Sequence, residues 1–239
     1  MGKFEKVVAI CGSPRAEVPD QKSLTQKMLN TFLEGLAPPQ VRVFFPHLMN
    51  ISYCKGCLTC WFKTPGICDI DDDMGLIKEE IEKSDLLILA SPVYVDGFSA
   101  QTKTVLDRSI SLLDPLISID EEGHCRHELL NPRQWSSVLI STCGFSELDN
   151  FDHIRNHYRA ICRNLYWKNA GEILLPASAL GFVPRKYEDK FQAITNAGRE
   201  LMEKGEIAEE TMNFISREIV SATQYRDFLN PFFKKLKQQ

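Results

Sequence analysis

Two short runs that are apolar at almost every position, Val7 to Cys11 and Leu86 to Ala90, constrain this chain more than any other feature. A strand with one wet face alternates apolar and polar residues, so a run without alternation reads as a strand covered on both faces, as in the middle of a parallel sheet. Val41 to Phe45, Val138 to Thr142 and Ile173 to Leu175 supply three further short strands.

Helical periodicity fills the intervals. Leu24, Met28, Phe32 and Leu36 recur on one face behind a Ser23–Gln26 capping-box pair, until Pro38-Pro39 stops the helix. Met74, Ile77 and Ile81 line the next helix, with Asp73 at its cap and Asp71 and Asp72 where the helix dipole favours anions. Ser99 to Leu113 is helical, and Phe151, Ile154, Tyr158, Ile161 and Leu165 mark a helix ending near Gly171. Strands alternating with helices imply right-handed crossovers. The expected fold is an α/β, doubly wound, three-layer domain with a five-stranded parallel sheet.

From Tyr187 the pattern is helical only: one stretch to Lys204, a break at Gly205, a second through Met212, Ile215 and Ile219, and a third interrupted at Pro231. We expect one domain over 1–186 and a C-terminal helical extension over 187–239, packed on the core or on a neighbouring subunit. The insertion 114–133 exceeds an ordinary helix-to-strand connection and reads as a hairpin-like flap with solvated His124 and His127.

A formal net charge of −4 with scattered basic residues gives no footprint for phosphate backbones, so no nucleic-acid partner is expected. The apolar stretch near the N-terminus is too short for a signal-peptide core, Lys6 stands where myristoylation needs Ser or Thr, and no segment is long enough for a bilayer. No membrane partner is expected. The eight cysteines then read as reduced thiols or metal ligands in a reducing cytoplasm.

In an open parallel sheet, ligands bind beyond the carboxyl ends of the strands where strand order reverses. Gly12-Ser13-Pro14-Arg15 through Ser23-Leu24-Thr25 offers hydroxyls, a guanidinium and amides at a helix N-terminus, which suit a phosphate dianion. It matches neither the P-loop nor the dinucleotide glycine pattern, and a monophosphate fits better. Ser91 to Ser99, with its stiff start, aromatics and Gly97, and Thr142-Cys143-Gly144-Phe145 add ring-sized surface and backbone amides. Together these loops supply what flavin mononucleotide (FMN) requires.

Val8-Ala9-Ile10-Cys11-Gly12-Ser13-Pro14-Arg15, the Cys54 to Asp73 block, Ala90-Ser91-Pro92-Val93-Tyr94 and Lys103-Thr104-Val105-Leu106-Asp107-Arg108 resemble the flavodoxin-like NAD(P)H-dependent FMN reductases, and within them the iron-sulfur flavoprotein branch. The likeness runs over roughly residues 4–180. It implies a flavodoxin-like fold, with FMN phosphate contacts on Ser13, Arg15, Ser23 and Thr25 and ring contacts on Pro92, Val93, Tyr94, Thr142, Cys143 and Gly144. It also implies NAD(P)H as electron donor and assembly as a homodimer or homotetramer, with the flavin near a subunit boundary.

Cys54, Cys57 and Cys60 repeat the C-x-x-C-x-x-C wrap of ferredoxin-type clusters, with Cys68 available as fourth ligand of a [4Fe–4S] cube and Gly56 and Gly66 permitting the turns. The compact pattern is broken by seven residues, Trp61 to Ile67, before Cys68. Four thiolates also make a zinc site, although those come as two separated knuckles. The third reading is free thiols, with Trp61 and Phe62 covering the ring or an interface. Cys11 and Cys162 read as core residues, Cys143 as packing beside the ring, and Asp107 and Arg108 as surface or interface pairs.

The expectation is an FMN-dependent oxidoreductase that takes electrons from NAD(P)H or a protein donor and passes them to a small acceptor such as a quinone or flavin. An iron-sulfur electron carrier serving a redox protein, and a non-enzymatic metal or redox sensor, are the alternatives.

Overall fold

The computed structural model describes residues 2–183 and 185–238; Met1, Pro184 and Gln239, which the expected domain limits include, lie outside them. Strands β1 (Lys6–Cys11), β2 (Gln40–Phe44) and β3 (Leu86–Tyr94) alternate with helices α1 (Leu24–Leu36), α2 (Thr59–Phe62) and α3 (Met74–Lys83). Then come β4 (Gly97–Phe98), α4 (Ala100–Arg108), the β5–β6 hairpin (Leu113–Ile119, Cys125–Leu129), β7 (Trp135–Thr142), α5 (Asp152–Asn164) and β8 (Trp167–Leu175). Helices α6 (Glu188–Lys204), α7 (Glu209–Ser216) and α8 (Ala222–Leu236) end the chain.

The main sheet runs β2-β1-β3-β7-β8 with every neighbour parallel, and β4 adds a two-residue antiparallel pairing to the end of β3. This is the flavodoxin-like doubly wound order, whose switch point lies between β1 and β3. Strand side chains alternate between two cores. Val7, Ala9, Cys11, Leu86, Ile88 and Ala90 face the layer of α1 and α6; Val8, Ile10, Leu87 and Leu89 face the layer of α3, α4 and α5. Both faces are dry, which explains why these strands carry no polar alternation.

Helix α6 lies directly on α1. A Cβ on Gly198 would fall 2.3 Å from the Phe32 carbonyl oxygen, and one on Gly35 1.9 Å from that of Thr195, so backbone meets backbone at this crossing. Tyr187 enters α6 with its hydroxyl donating to the Pro176 carbonyl at 2.7 Å, tying the helix to the loop after β8.

Several elements depart from the sequence-based expectation. Helix α5 stops at Asn164 rather than near Gly171, because Tyr166 turns the chain with φ +56° and β8 begins at Trp167. Helix α7 ends at Ser216 and leaves Ile219 outside it. The buried Lys190 ammonium donates to the carbonyls of Phe214, Ile215 and Arg217 and so captures acceptors that a longer helix would have used itself. Helix α8 continues through Pro231, which frees only the exposed Asp227 carbonyl to solvent.

The α1–α6 crossing makes a direct prediction. Gly198→Ala should lower the urea midpoint by the equivalent of about 1–3 kcal/mol, overpacking outweighing the better helix propensity of alanine. An unchanged or raised midpoint would show that the helices can separate without cost.

Candidate functional site

The carboxyl ends of β1, β3 and β7 are joined by side-chain hydroxyls. Ser99, at the N-cap of α4, donates from Oγ to the Gly12 carbonyl at 2.7 Å, and its amide donates to Ser91 Oγ at 3.1 Å. Ser141 Oγ donates to the Ser91 carbonyl at 2.8 Å, and Thr25 Oγ1 and Thr142 Oγ1 lie 2.8 Å apart. Four buried hydroxyl contacts thus fasten the loop after β1, the turn after β3 and the end of β7 into one rim. Sequence reasoning treated Ser91 and Ser99 only as loop residues.

At the phosphate-type loop, Ser13 and Thr25 are buried, Ser23 is half-buried and Arg15 is exposed. Ser23 Oγ donates to Ser13 Oγ at 2.8 Å and accepts the Gln26 amide at 3.1 Å, capping α1. The capping box is only half made, since the Gln26 side chain turns to Glu17 instead of back to Ser23. The Arg15 guanidinium has no ion-pair or hydrogen-bond partner among the described residues. Hydroxyls, the N-terminal turn of α1 and an unpaired guanidinium therefore meet in one loop.

The turn after β3 is a hairpin rather than an irregular loop. Val93 pairs with Phe98 and Tyr94 with Gly97 around Val95 and Asp96, both at positive φ (+45° and +63°) as a two-residue type I′ turn requires. Asp tolerates that conformation, whereas a β-branched valine is strained there by roughly 1–3 kcal/mol. Val95 is 100 % exposed and nothing in the fold covers it.

On the ring side, Pro92 is buried and pairs with Thr142 across β3 and β7, Val93 is half-buried and Tyr94 is exposed. Cys143 is buried, which pushes its thiol pKa upward. Gly144 is exposed, and a Cβ there would meet nothing within 4 Å; a Cβ on Gly97 would meet only the Val95 carbonyl, at 4.0 Å. Phe145 stands exposed beside them. The structure thus brings the expected phosphate and ring residues to one rim, with open space over Gly97 and Gly144. Tyr225 of α8 is buried in the core on the α1–α6 side of the sheet, a return across the fold that no local pattern announces.

The cysteine loop forms a second, adjoining unit. Asp72 accepts the Ser52 amide at 2.9 Å through Oδ2 and the Met74 amide at 3.1 Å through Oδ1, while Asp73 accepts the Asn50 amide at 2.8 Å. Asp73 therefore does not cap α3; its carboxylate is spent on closing the loop and Asp72 takes the capping contact. Between these ends the chain turns through left-handed residues at Gly56, Leu58 and Gly66. Trp61 packs against the β5–β6 hairpin, its Nε1 donating to the Ile110 carbonyl at 3.0 Å and its ring 4.7 Å from that of His127. His127 is thus a packing residue, while His124 is solvated.

Cys54, Cys57, Cys60 and Cys68 line one pocket, closed by Ile70, Ile110 and Arg108. Among the described residues, no three Cys, His, Asp or Glu side chains stand close enough to share a single metal ion. Burial raises the Cys60 pKa, whereas contact with Thr59 lowers that of the exposed Cys57. All eight cysteines are free thiols, and Cys11 and Cys162, pushed up to about 11 by burial, are core residues.

Asp107 pairs with Lys103 on the surface as expected, but Arg108 does not. Its guanidinium is buried in a bidentate pair with Asp72, Nη1 to Oδ2 at 2.9 Å and Nη2 to Oδ1 at 3.0 Å. Burial alone would raise the Asp72 pKa; the Arg108 bonds and two amides outweigh it and hold the carboxyl below its usual 3.8.

The fold and rim define a flavodoxin-like α/β protein whose strand ends suit a phosphorylated aromatic cofactor. Residues 5–118 match the model of the NADPH-dependent FMN reductase family. Over 107 residues the chain is 41% identical to an iron-sulfur flavoprotein of Archaeoglobus fulgidus, covering 44% of this chain and 46% of that protein. An iron-sulfur flavoprotein of Methanosarcina thermophila is 33% identical over 109 residues, 45% of this chain and 53% of its own length. The chain thus spans about half the length of the curated relatives it matches. Residues 5–118 are thus similar to the NADPH-dependent FMN reductase family and to proteins named iron-sulfur flavoproteins.

Solved structures extend the likeness of fold. An NAD(P)H:quinone oxidoreductase from Methanothermobacter marburgensis superposes with a TM-score of 0.59 at 17% identity, over 82% of this chain and 96% of that one. An FMN-dependent NADH-azoreductase from Bacillus anthracis gives 0.60 at 12% identity, over 83% and 100%. Among the described residues no helix is long and apolar enough to cross a membrane.

Because the folded Asp72 pKa lies below the unfolded one, the stabilisation from its pair is complete above the usual value and is lost as pH falls through the folded one. Asp72→Asn should cost about 3–5 kcal/mol near neutral pH by leaving Arg108 unpaired. Urea unfolding from pH 7 downward should show that gap constant to about pH 5 and narrowing in stronger acid. A gap that does not change with pH would contradict the pairing.

Proposed function

We propose that this protein is an FMN-dependent oxidoreductase that accepts electrons from NAD(P)H or a protein donor and delivers them to a small acceptor such as a quinone or a flavin. The observation that carries the reading is the rim, where a phosphate-type loop and two ring-sized loops meet at the β1–β3 switch point. The match of residues 5–118 to the NADPH-dependent FMN reductase model supports both FMN and the nicotinamide donor.

In this reading Ser13, Ser23 and Thr25 hold the phosphate together with the N-terminal turn of α1, and Arg15 closes on it as the free cation. Pro92, Val93 and Tyr94 form one wall of the ring site, and Thr142, Cys143 and Gly144 present backbone to its other edge. Bound FMN would supply hydride acceptance and its return as single electrons. The chain contributes anchoring, orientation and shielding from water, and no side chain acts as nucleophile or general base.

The four-cysteine pocket favours the electron-carrier form of the same reading. The four cysteines line one pocket, and their C-x-x-C-x-x-C spacing suits a [4Fe–4S] cube better than zinc, whose sites come as two separated knuckles. Cys54, Cys57, Cys60 and Cys68 would be its ligands, and the cluster would serve one-electron exchange with a redox protein. A cytoplasmic homodimer or homotetramer completes the proposal, for which the exposed Phe228, Phe232 and Phe233 of α8 offer apolar surface.

Protein purified without oxygen should show flavin absorption, native or after addition of FMN, and should bleach with NADH or NADPH. Arg15→Ala combined with Ser13→Ala should weaken FMN binding about 10- to 100-fold with the fold intact, as expected for lost hydrogen bonds to a charged group. Absent flavin bands after FMN addition would end the reading, and unchanged affinity in the double variant would place the phosphate elsewhere.

A further inference from the structure

Arg108 is placed as no ordinary helix-end arginine would be. It is the last residue of α4, yet only 2% of its surface is exposed. Besides its two bonds to Asp72, Nη1 donates to the Ser52 carbonyl at 2.8 Å and Nη2 to the Ile70 carbonyl at 3.3 Å. Ser52 precedes Cys54 by two residues, and Ile70 follows Cys68 by two. One guanidinium therefore clasps both ends of the segment that carries all four cysteines, and Asp72 ties the same two ends through the Ser52 and Met74 amides.

The remaining donor of this side chain is unused. Arg108 Nε is buried and has no hydrogen-bond partner, while the residue lines the four-cysteine pocket beside Cys68. A buried guanidinium cannot lose its proton, so its charge persists whatever fills the pocket, and an unpaired N–H there costs about 1–3 kcal/mol unless an acceptor is supplied.

We propose that Arg108 is a positioning residue for the iron-sulfur site: it preorganises the cysteine loop before any iron binds, and it stands as a fixed cation against the sulfur-ligated cluster. The proposal rests on the cluster reading given above. Reduction by one electron adds one negative charge to the site, and a permanent positive charge at the pocket wall favours the more negative state. Arg108 lines the four-cysteine pocket and Asp72 does not, so the cation is the nearer end of the pair and outweighs its carboxylate there, raising the reduction potential that four thiolates and the neighbouring Asp69 and Asp71 would otherwise depress.

The test uses full-length protein reconstituted without oxygen with iron and sulfide, in wild type, Arg108→Lys, and the paired Arg108→Gln/Asp72→Asn. The paired variant removes both charges together and so leaves no unpaired buried ion. Potentials are read by dye-mediated titration with EPR detection, and loop order by amide exchange over residues 52–72 in the iron-free proteins.

We expect the paired variant to be reduced with an equilibrium constant at least tenfold less favourable, roughly 59 mV lower for one electron. The lysine variant should fall between it and wild type. Faster exchange over 52–72 in the iron-free paired variant, with unchanged exchange in the sheet, is the expected sign of the lost clasp. Equal potentials in all three proteins would overturn the charge role, and equal exchange would overturn the clasp. Wild-type protein that retains no acid-labile sulfide would instead overturn the cluster reading itself. Should the paired variant not fold, Arg108→Lys decides the clasp, since a lysine keeps the charge but cannot reach Ser52, Ile70 and Asp72 with a fork, and Arg108→Gln alone decides the charge role, an unchanged potential overturning it.

Discussion

The serine hydroxyl at the start of α4 is the contact on which the rest of the site depends. Parallel strands end at a common edge, but nothing in a parallel ladder fixes the loops beyond that edge relative to one another. Ser99 does so by bonding the Gly12 carbonyl with its hydroxyl and Ser91 with its amide, across the β1–β3 switch point. These bonds are buried, so leaving any partner unpaired costs about 1–3 kcal/mol. A Cβ at position 12 would fall 1.8 Å from Thr102 Oγ1, so only glycine lets the first loop lie this close to α4.

The cysteine loop obeys the same logic with charge in place of hydroxyls. Asp72 and Arg108 satisfy each other and the backbone at both ends of the loop, and Trp61 fixes its middle against the β5–β6 hairpin. The rim and the loop meet at α4, whose first residue follows Ser99 and whose last residue is Arg108. A nine-residue helix thus aligns the rim with the thiol pocket, and the relation between the two sites is set by about two and a half turns of rigid backbone.

Much of this architecture is legible in the sequence because it follows from local pattern. The unbroken apolar runs of β1 and β3 announce dry strands, and the glycines at 56 and 66 announce the turns they make. Other features escape for physical reasons. Val95 occupies a left-handed turn position that an Asn-Gly pair would have advertised and a valine conceals. Arg108 follows an aspartate that pairs on the surface, and only the fold brings it to Asp72, 36 residues earlier in the chain. Lys190 ends α7 from 24 residues upstream of Phe214, a tertiary contact that overrides helical periodicity at Ile219. Local sequence encodes elements, whereas these outcomes depend on partners that only the assembled sheet brings near.

The central claim is that a phosphate anchors an aromatic ring at the β1–β3 switch point. It is tested most directly by comparing FMN with riboflavin, which carries the same ring and no phosphate, in fluorescence-quenching titrations of one preparation. The account predicts that riboflavin binds about 100-fold more weakly or worse, since charge-assisted bonds to the phosphate each contribute about 1.5–3 kcal/mol. Equal affinities would contradict it, because the Ser13, Arg15, Ser23 and Thr25 loop would then hold nothing that distinguishes the two.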